Sequence, residues 1–199
     1  MVETPSKQTF HRVALWTSII CLSWFFMQAV HEFGHISAAL MTGGTILLID
    51  LHPLHISHTL ISPNPQPVIV IWAGPIVGVL LPLVLYLVCC KFFQNMVHLL
   101  RFFAGFCLIA NGAYLGSIAI EAVGDARDFL VENVPIYFPL TFAIITVPSG
   151  FLLWNNQGAI FGIGKNGRTI SLQESGIAVS MLIIWIGIAS FCFPITFGQ

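Results

Sequence analysis

Residues 31–35 read His-Glu-Phe-Gly-His. On a helix, positions i and i+4 project from one face, so two imidazoles can bind one zinc ion at about 2.0–2.1 Å while Glu32 stands beside them to handle a water proton. With seven His in 199 residues and Glu only at 3, 32, 121, 132 and 174, multiplying frequencies over all windows gives about 0.006 accidental matches to HExxH. The segment therefore points to a zinc-dependent hydrolytic centre, with His31 and His35 as ligands and Glu32 as general acid/base.

Two histidines do not complete such a centre, because a catalytic zinc site usually takes three protein ligands and leaves a fourth position for water. Candidates for the third ligand are Asp50, Asp125, Asp128 and the histidines at 52, 55 and 58. The three histidines sit three residues apart in a segment that reads as extended, which sends alternate side chains to opposite faces and weakens any second metal site there. Histidines titrating at the entrance of the site are the better reading. Asn111, Tyr114 and Ser117 recur at three-residue spacing and give one helix a polar face. That face suits either interhelical hydrogen bonding or contact with substrate, and Asn111 is the candidate substrate-binding residue. Glu121 reads as a solvated charge at an interface rather than a partner of a ligand.

The elements that must position these groups belong to a membrane. The chain is 57% hydrophobic and 8% charged, with a mean hydropathy of +0.91, far from a soluble domain with about 25% charged residues. Seven Lys+Arg against eight Asp+Glu leave a formal charge of −1, and no basic patch suits nucleic acid. The cysteines at 21, 89, 90, 107 and 192 all fall in apolar runs and act as small hydrophobes. Apolar stretches at 13–41, 67–90, 97–123, 136–154 and 176–197 are each long enough to cross about 30 Å of hydrocarbon as helices. The first stretch overruns a secretory h-region of roughly 7–15 residues and reads as a retained helix. Its last two turns, before Gly43-Gly44, reach the interface or beyond. The fold class expected is an all-α polytopic membrane protein, one integral membrane domain over 1–199.

Segment 43–66 departs from this pattern. From Ile46 to His58 it mixes β-branched and polar residues in rough alternation, and Pro53 excludes a helix through His52. A short hairpin or extended strand at the membrane surface is expected. Segment 155–175, with Asn155-Asn156 and glycines at 158, 162, 164 and 167, reads as an irregular loop. Gly74-Pro75 and Gly78 permit either a kink and close approach beside the site or simple helix packing.

Sidedness follows from the cations. Lys7, Arg12, Lys91, Arg101, Lys165 and Arg168 fall on one side of the five spans and Arg127 alone on the other. Short basic segments stay cytoplasmic, so the amino terminus is expected inside and segments 43–66 and 124–135 outside. That count, made without reference to any motif, puts Asp125 and Asp128 on the same face as His35.

His31-Glu32-Phe33-Gly34-His35 in a membrane helix, Ala73-Gly74-Pro75 in the next, and Asn111 followed by Gly124-Asp125 at the end of the third resemble the site-2 protease-type intramembrane zinc metalloproteases. The resemblance covers about residues 15–135. It implies a three-helix metalloprotease core, here 13–135, with 136–199 as two additional transmembrane helices. It further implies Zn2+ held by His31, His35 and Asp125, Glu32 as catalytic acid/base, and Asn111 as the match to the family's asparagine. Here the pair reads Gly-Asp where the family has Asp-Gly, and Asp128 follows three residues on. Arg127 is a neighbouring charge partner for Asp128, which favours Asp125 as the ligand.

The expected function is hydrolysis of peptide bonds in membrane-embedded protein substrates, with the active site near the non-cytoplasmic face of the bilayer. A helical substrate must unwind before attack, and the 43–66 strand is placed to receive the freed backbone by β-addition. The competing reading is a zinc-binding membrane protein without proteolysis, a degenerate protease or scaffold. Glu32 argues against it, since a structural zinc site has no need of a base. A metal transporter would want ionisable groups through the depth of its spans, whereas here they gather at the ends.

Overall fold

The computed structural model describes residues 5–92 and 97–197. Among the described residues, five helices are long and apolar enough to cross a membrane: α1 (Pro5–Met41), α2 (Pro67–Phe92), α3 (Val97–Gly116), α5 (Tyr137–Trp154) and α6 (Leu172–Cys192). A seven-residue helix α4 (Asp125–Val131) interrupts the connection from α3 to α5. Strands β1 (Ile46–Asp50) and β2 (His58–Ile61) form the expected hairpin, and β3 (Ile195–Thr196) joins it. The expected class holds: the chain is a mostly helical, multi-pass membrane protein with a small sheet after its first helix.

Burial follows the sequence period. On α2 the buried positions are Val70-Ile71, Gly74-Pro75, Gly78-Val79 and Pro82, one stripe recurring every four residues. Leu80, Val84, Leu87 and Val88 lie outside that stripe and remain exposed, as a helix facing lipid requires. The stripe packs α2 against both α1 and α3, α5 covers the far side of α3, and α6 lies on α1. Pro75 and Pro82 sit inside α2 and Pro148 inside α5, where neighbouring helices make such residues tolerable.

Close packing at the α1–α2 crossing depends on two glycines. A Cβ at Gly34 would collide with the Ala73 carbonyl, and one at Gly74 would collide with the imidazoles of His35 and His31. Of the two uses open to Gly74 in the sequence, close approach is the one observed. The backbone of α2 therefore lies directly against the Nε2 edges of the paired histidines.

At one end of the bundle Trp16 donates to the Phe161 carbonyl at 3.1 Å, Gln8 to the Ile170 carbonyl at 3.3 Å, and Arg101 to the Asn155 carbonyl at 2.9 Å. The segments that carry Lys7, Arg12, Arg101, Lys165 and Arg168 are thus gathered there. The opposite end carries the sheet, α4 and Arg127. The sheet order is β2-β1-β3, both pairings antiparallel, with Asp50 opposite His58 and Ile49 opposite both Thr59 and Ile195.

Span limits differ from the sequence reading for local reasons. α1 begins at Pro5, not near 13, because His11 is hydrogen-bonded to Ser175 at 3.0 Å and fixes the extra turns against α6. α3 stops at Gly116, followed by a single 3-10 turn over Ser117–Ala119, so the chain turns back toward the bundle before residue 123. α6 starts at Leu172, capped by Ser171 and Glu174 in a reciprocal box. It ends at Cys192, just before Pro194, which leaves 195–196 free to pair with β1.

Candidate metal centre

His31, Glu32 and His35 are buried near the carboxy-terminal end of α1, each less than one-tenth exposed. Both imidazoles are fixed through Nδ1. His35 Nδ1 donates to the Val70 carbonyl of α2 at 2.8 Å, and His31 Nδ1 donates to Asn111 Oδ1 of α3 at 2.7 Å. The Asn111 amide is itself oriented, since its Nδ2 donates to the Cys107 carbonyl at 2.9 Å and so turns Oδ1 toward His31. With Nδ1–H committed on both rings, the two Nε2 lone pairs face inward, 3.0 Å apart.

Asp125 completes the convergence. Its Oδ2 lies 2.9 Å from His31 Nε2 and 3.4 Å from His35 Nε2. Gly124 supplies the turn that makes this possible, with φ at +53°, a conformation open to glycine. Any side chain there would also strike the Tyr114 hydroxyl, which accepts from the Asp125 backbone N–H at 2.9 Å. Behind Asp125, Ala126 and Phe129 of α4 are fully buried against Ile71, Leu115 and Ile118. Asp125 is therefore held by a packed helix and a tyrosine.

The other candidate ligands go elsewhere. Asp128 is exposed, and partial desolvation of its carboxyl, followed by the Asp125 charge, raises its pKa. It makes no ion pair with Arg127 among the described residues, although the Arg127 charge opposes that rise, and the two aspartates differ in where they lie. The separation comes from α4, which puts Asp125 at its first position facing α1. Asp50 accepts from the His52 backbone N–H at 2.8 Å and contacts His55 Nδ1 at 3.0 Å. Among the described residues, His31, His35 and Asp125 are the one group whose ligand atoms all lie within 4.8 Å of one another. His52 and His55 lie with ring centres 4.9 Å apart and planes tilted by 37°, and among the described residues they do not join a second such group with His58. Glu121 is exposed, as expected of an interfacial charge.

This donor set fits a cation. Two imidazole lone pairs and a carboxylate oxygen, all acceptors, converge within hydrogen-bonding distance in a buried place, which favours a positive charge at their centre. Nitrogen and oxygen ligands of this kind suit zinc.

Glu32 lies beside the trio. Ser57 Oγ donates to Oε1 and Thr59 Oγ1 to Oε2, each at 2.7 Å. These two hydroxyls and the Val70 carbonyl are not marked as site groups in the sequence, whereas Tyr114 belongs to the polar face read there and serves as the anchor of Asp125. The signal available for Ser57 and Thr59 was their spacing of two within an extended run, which puts both on one face. A cavity of about 540 Å³ opens along Glu32, Asp125 and β2, with Trp24 and Met27 on its apolar side. Asn111 also borders it, but the contacts Asn111 makes are to His31 and Cys107, the interhelical use of that residue.

Residues 10–117 match the Peptidase M50B-like family, a stretch that includes the HExxH segment and Asn111 and stops short of Asp125. No curated protein and no solved structure gives a significant match. With more than half of the chain covered by that match, and with five membrane-crossing helices around a buried His-His-Asp group, the chain belongs to the M50B-like peptidases, a site-2 protease-like family of membrane metallopeptidases.

Proposed function

We propose that this protein is a zinc-dependent intramembrane endopeptidase that cuts membrane-embedded polypeptides. The observation that supports the reading most directly is the convergence of His31 Nε2, His35 Nε2 and Asp125 Oδ2 next to a carboxylate, Glu32, that is not part of the trio. Zinc held by those three side chains would supply a Lewis acid that polarises the scissile carbonyl and acidifies water. Glu32 accepts the proton of the attacking water and delivers it to the leaving amine nitrogen, so the carboxylate is regenerated each turnover. Asn111 and the Val70 carbonyl keep both imidazoles in the tautomer whose Nε2 is free. Tyr114 and Gly124 set the position of Asp125.

Substrate enters as unwound backbone. The open edge of β2 borders the cavity and offers unpaired backbone groups to an extended peptide, which suits a helix that has lost its internal hydrogen bonds. The six-to-one cation split orients the amino terminus to the cytoplasm and the site to the non-cytoplasmic side. Residues 13–135 carry the chemistry, and α5 and α6 flank them.

The test is cleavage of a quenched-fluorescent peptide, its transmembrane segment broken by Gly-Pro, by purified protein in lipid nanodiscs. A zinc chelator should abolish cleavage and added zinc restore it. Metal-bound protein that leaves the peptide intact would favour the non-proteolytic zinc protein instead.

A further inference from the structure

Glu32 is a buried carboxylate, 3% exposed, and among the described residues it has no Lys or Arg within ion-pair distance. A buried charge in that position needs hydrogen bonds, and here the hairpin provides them through Ser57 and Thr59 at 2.7 Å each. The pattern along the strand is regular: Ser57, Thr59 and Ile61 are half-buried, while Ile56, His58 and Leu60 between them are exposed. Thr59 is in register with Ile49 of β1. The place of its hydroxyl is thereby set by the ladder of the sheet, in which β2 is an outer strand whose residues also line the cavity.

We propose that Ser57 and Thr59 are positioning residues for Glu32, and that through them the strand that pairs with substrate holds the general base in line with the scissile bond. The proposal rests on the hydrolase reading given above. A hydroxyl can donate to a carboxylate and accept from a carboxylic acid, so the same pair of groups serves Glu32 before and after it takes the water proton. The proton passes from water to a Glu32 oxygen and on to the amine nitrogen, and the two hydroxyls rotate without gaining or losing one. An ammonium or a backbone N–H in their place could only donate. Neither hydroxyl touches His31, His35 or Asp125, so their loss should alter turnover and leave metal retention alone.

The experiment uses the full chain in nanodiscs and two readouts. The first is the Glu32 carboxylate stretch, taken as the infrared difference between each protein and its Glu32→Gln counterpart. The second is the kcat and KM for the quenched-fluorescent peptide. Thr59→Val keeps the strand's shape and removes one hydroxyl; it should shift the carboxylate band and lower kcat about tenfold at unchanged KM and zinc content. The double change Ser57→Ala with Thr59→Val should lower kcat about a hundredfold, the scale of a misplaced catalytic group. Thr59→Ser should return band and kcat toward wild type. An unshifted band in the double variant overturns the proposal, as does undiminished kcat. If the wild-type protein fails to cut the peptide, the hydrolase reading falls instead, and the infrared band still decides whether these hydroxyls hold Glu32.

Discussion

The hydroxyls of α5 and those around Glu32 are the same chemical groups put to opposite uses. Thr141, Thr146 and Ser149 each donate to the carbonyl four residues back on their own helix, at 2.7–2.8 Å. Ser57, Thr59, Tyr114 and the Asn111 amide instead bond across to another element or to the turn that carries Asp125. In a lipid setting every polar group must find a partner within the protein. A group satisfied by its own turn does not constrain where that helix lies, whereas one satisfied between elements fixes their relative position. The site is therefore held by bonds between elements, and α5 mainly by apolar packing, with the Trp154 indole N–H donating to the Phe102 carbonyl of α3 at 2.9 Å.

The sharpest way to break the contrast is at α1. His35→Ala should lose both zinc and cleavage, whereas Glu32→Gln should keep zinc and lose about 10²–10⁴-fold in turnover. Metal content by mass spectrometry, read beside cleavage, separates the two; equal zinc in both variants would contradict the division of roles. Gly74→Ala comes next. The added methyl meets both imidazoles from the α2 side, so zinc occupancy should fall and cleavage drop by about a hundredfold, with the helical circular dichroism retained.

Asn111→Ala removes the acceptor that fixes His31 while leaving all three inward-facing atoms in place, and zinc affinity should weaken by about 10–100-fold in a competition titration. Further from the site, the Asp50 carboxyl is held below the usual carboxylate range, because the His52 N–H and His55 outweigh the effect of burial. A lowered pKa means Asp50 stabilises the hairpin above the ordinary carboxylate range and that this contribution is lost as pH falls through the lowered value. Asp50→Asn should cost about 1 kcal/mol of hairpin protection in hydrogen exchange near neutral pH. It should also flatten the acid dependence there. Smallest of all, Thr141→Val in α5 should change stability by less than about 0.5 kcal/mol and leave zinc untouched.

What could be read from the sequence was what is local to it. HExxH on a helix fixes its own geometry, because i and i+4 share a face wherever the helix lies. The cation split needed only a count along the chain, and the hairpin followed from alternation and Pro53. Groups whose partners depend on how elements meet were less legible. Nothing local marks Val70 as the residue whose carbonyl receives His35, or Tyr114 as the anchor of Asp125. The helix beginning at Asp125 lies in a segment that the sequence marks only as an outer connection between two spans, although an acidic residue in a first turn is a favourable start. The two residues of β3 are too few to carry a periodic signal, and only their pairing with β1 reveals them.

The central claim is that one zinc ion is gripped by two imidazoles of α1 and a carboxylate of α4. X-ray absorption at the zinc edge on Glu32→Gln protein tests it most directly. The account predicts one zinc per chain with a nitrogen/oxygen shell at about 2.0–2.2 Å, two imidazole scatterers, and loss of that spectrum in His31→Ala and Asp125→Ala. Absence of stoichiometric zinc, or a sulfur shell, or a spectrum unchanged by Asp125→Ala would contradict it.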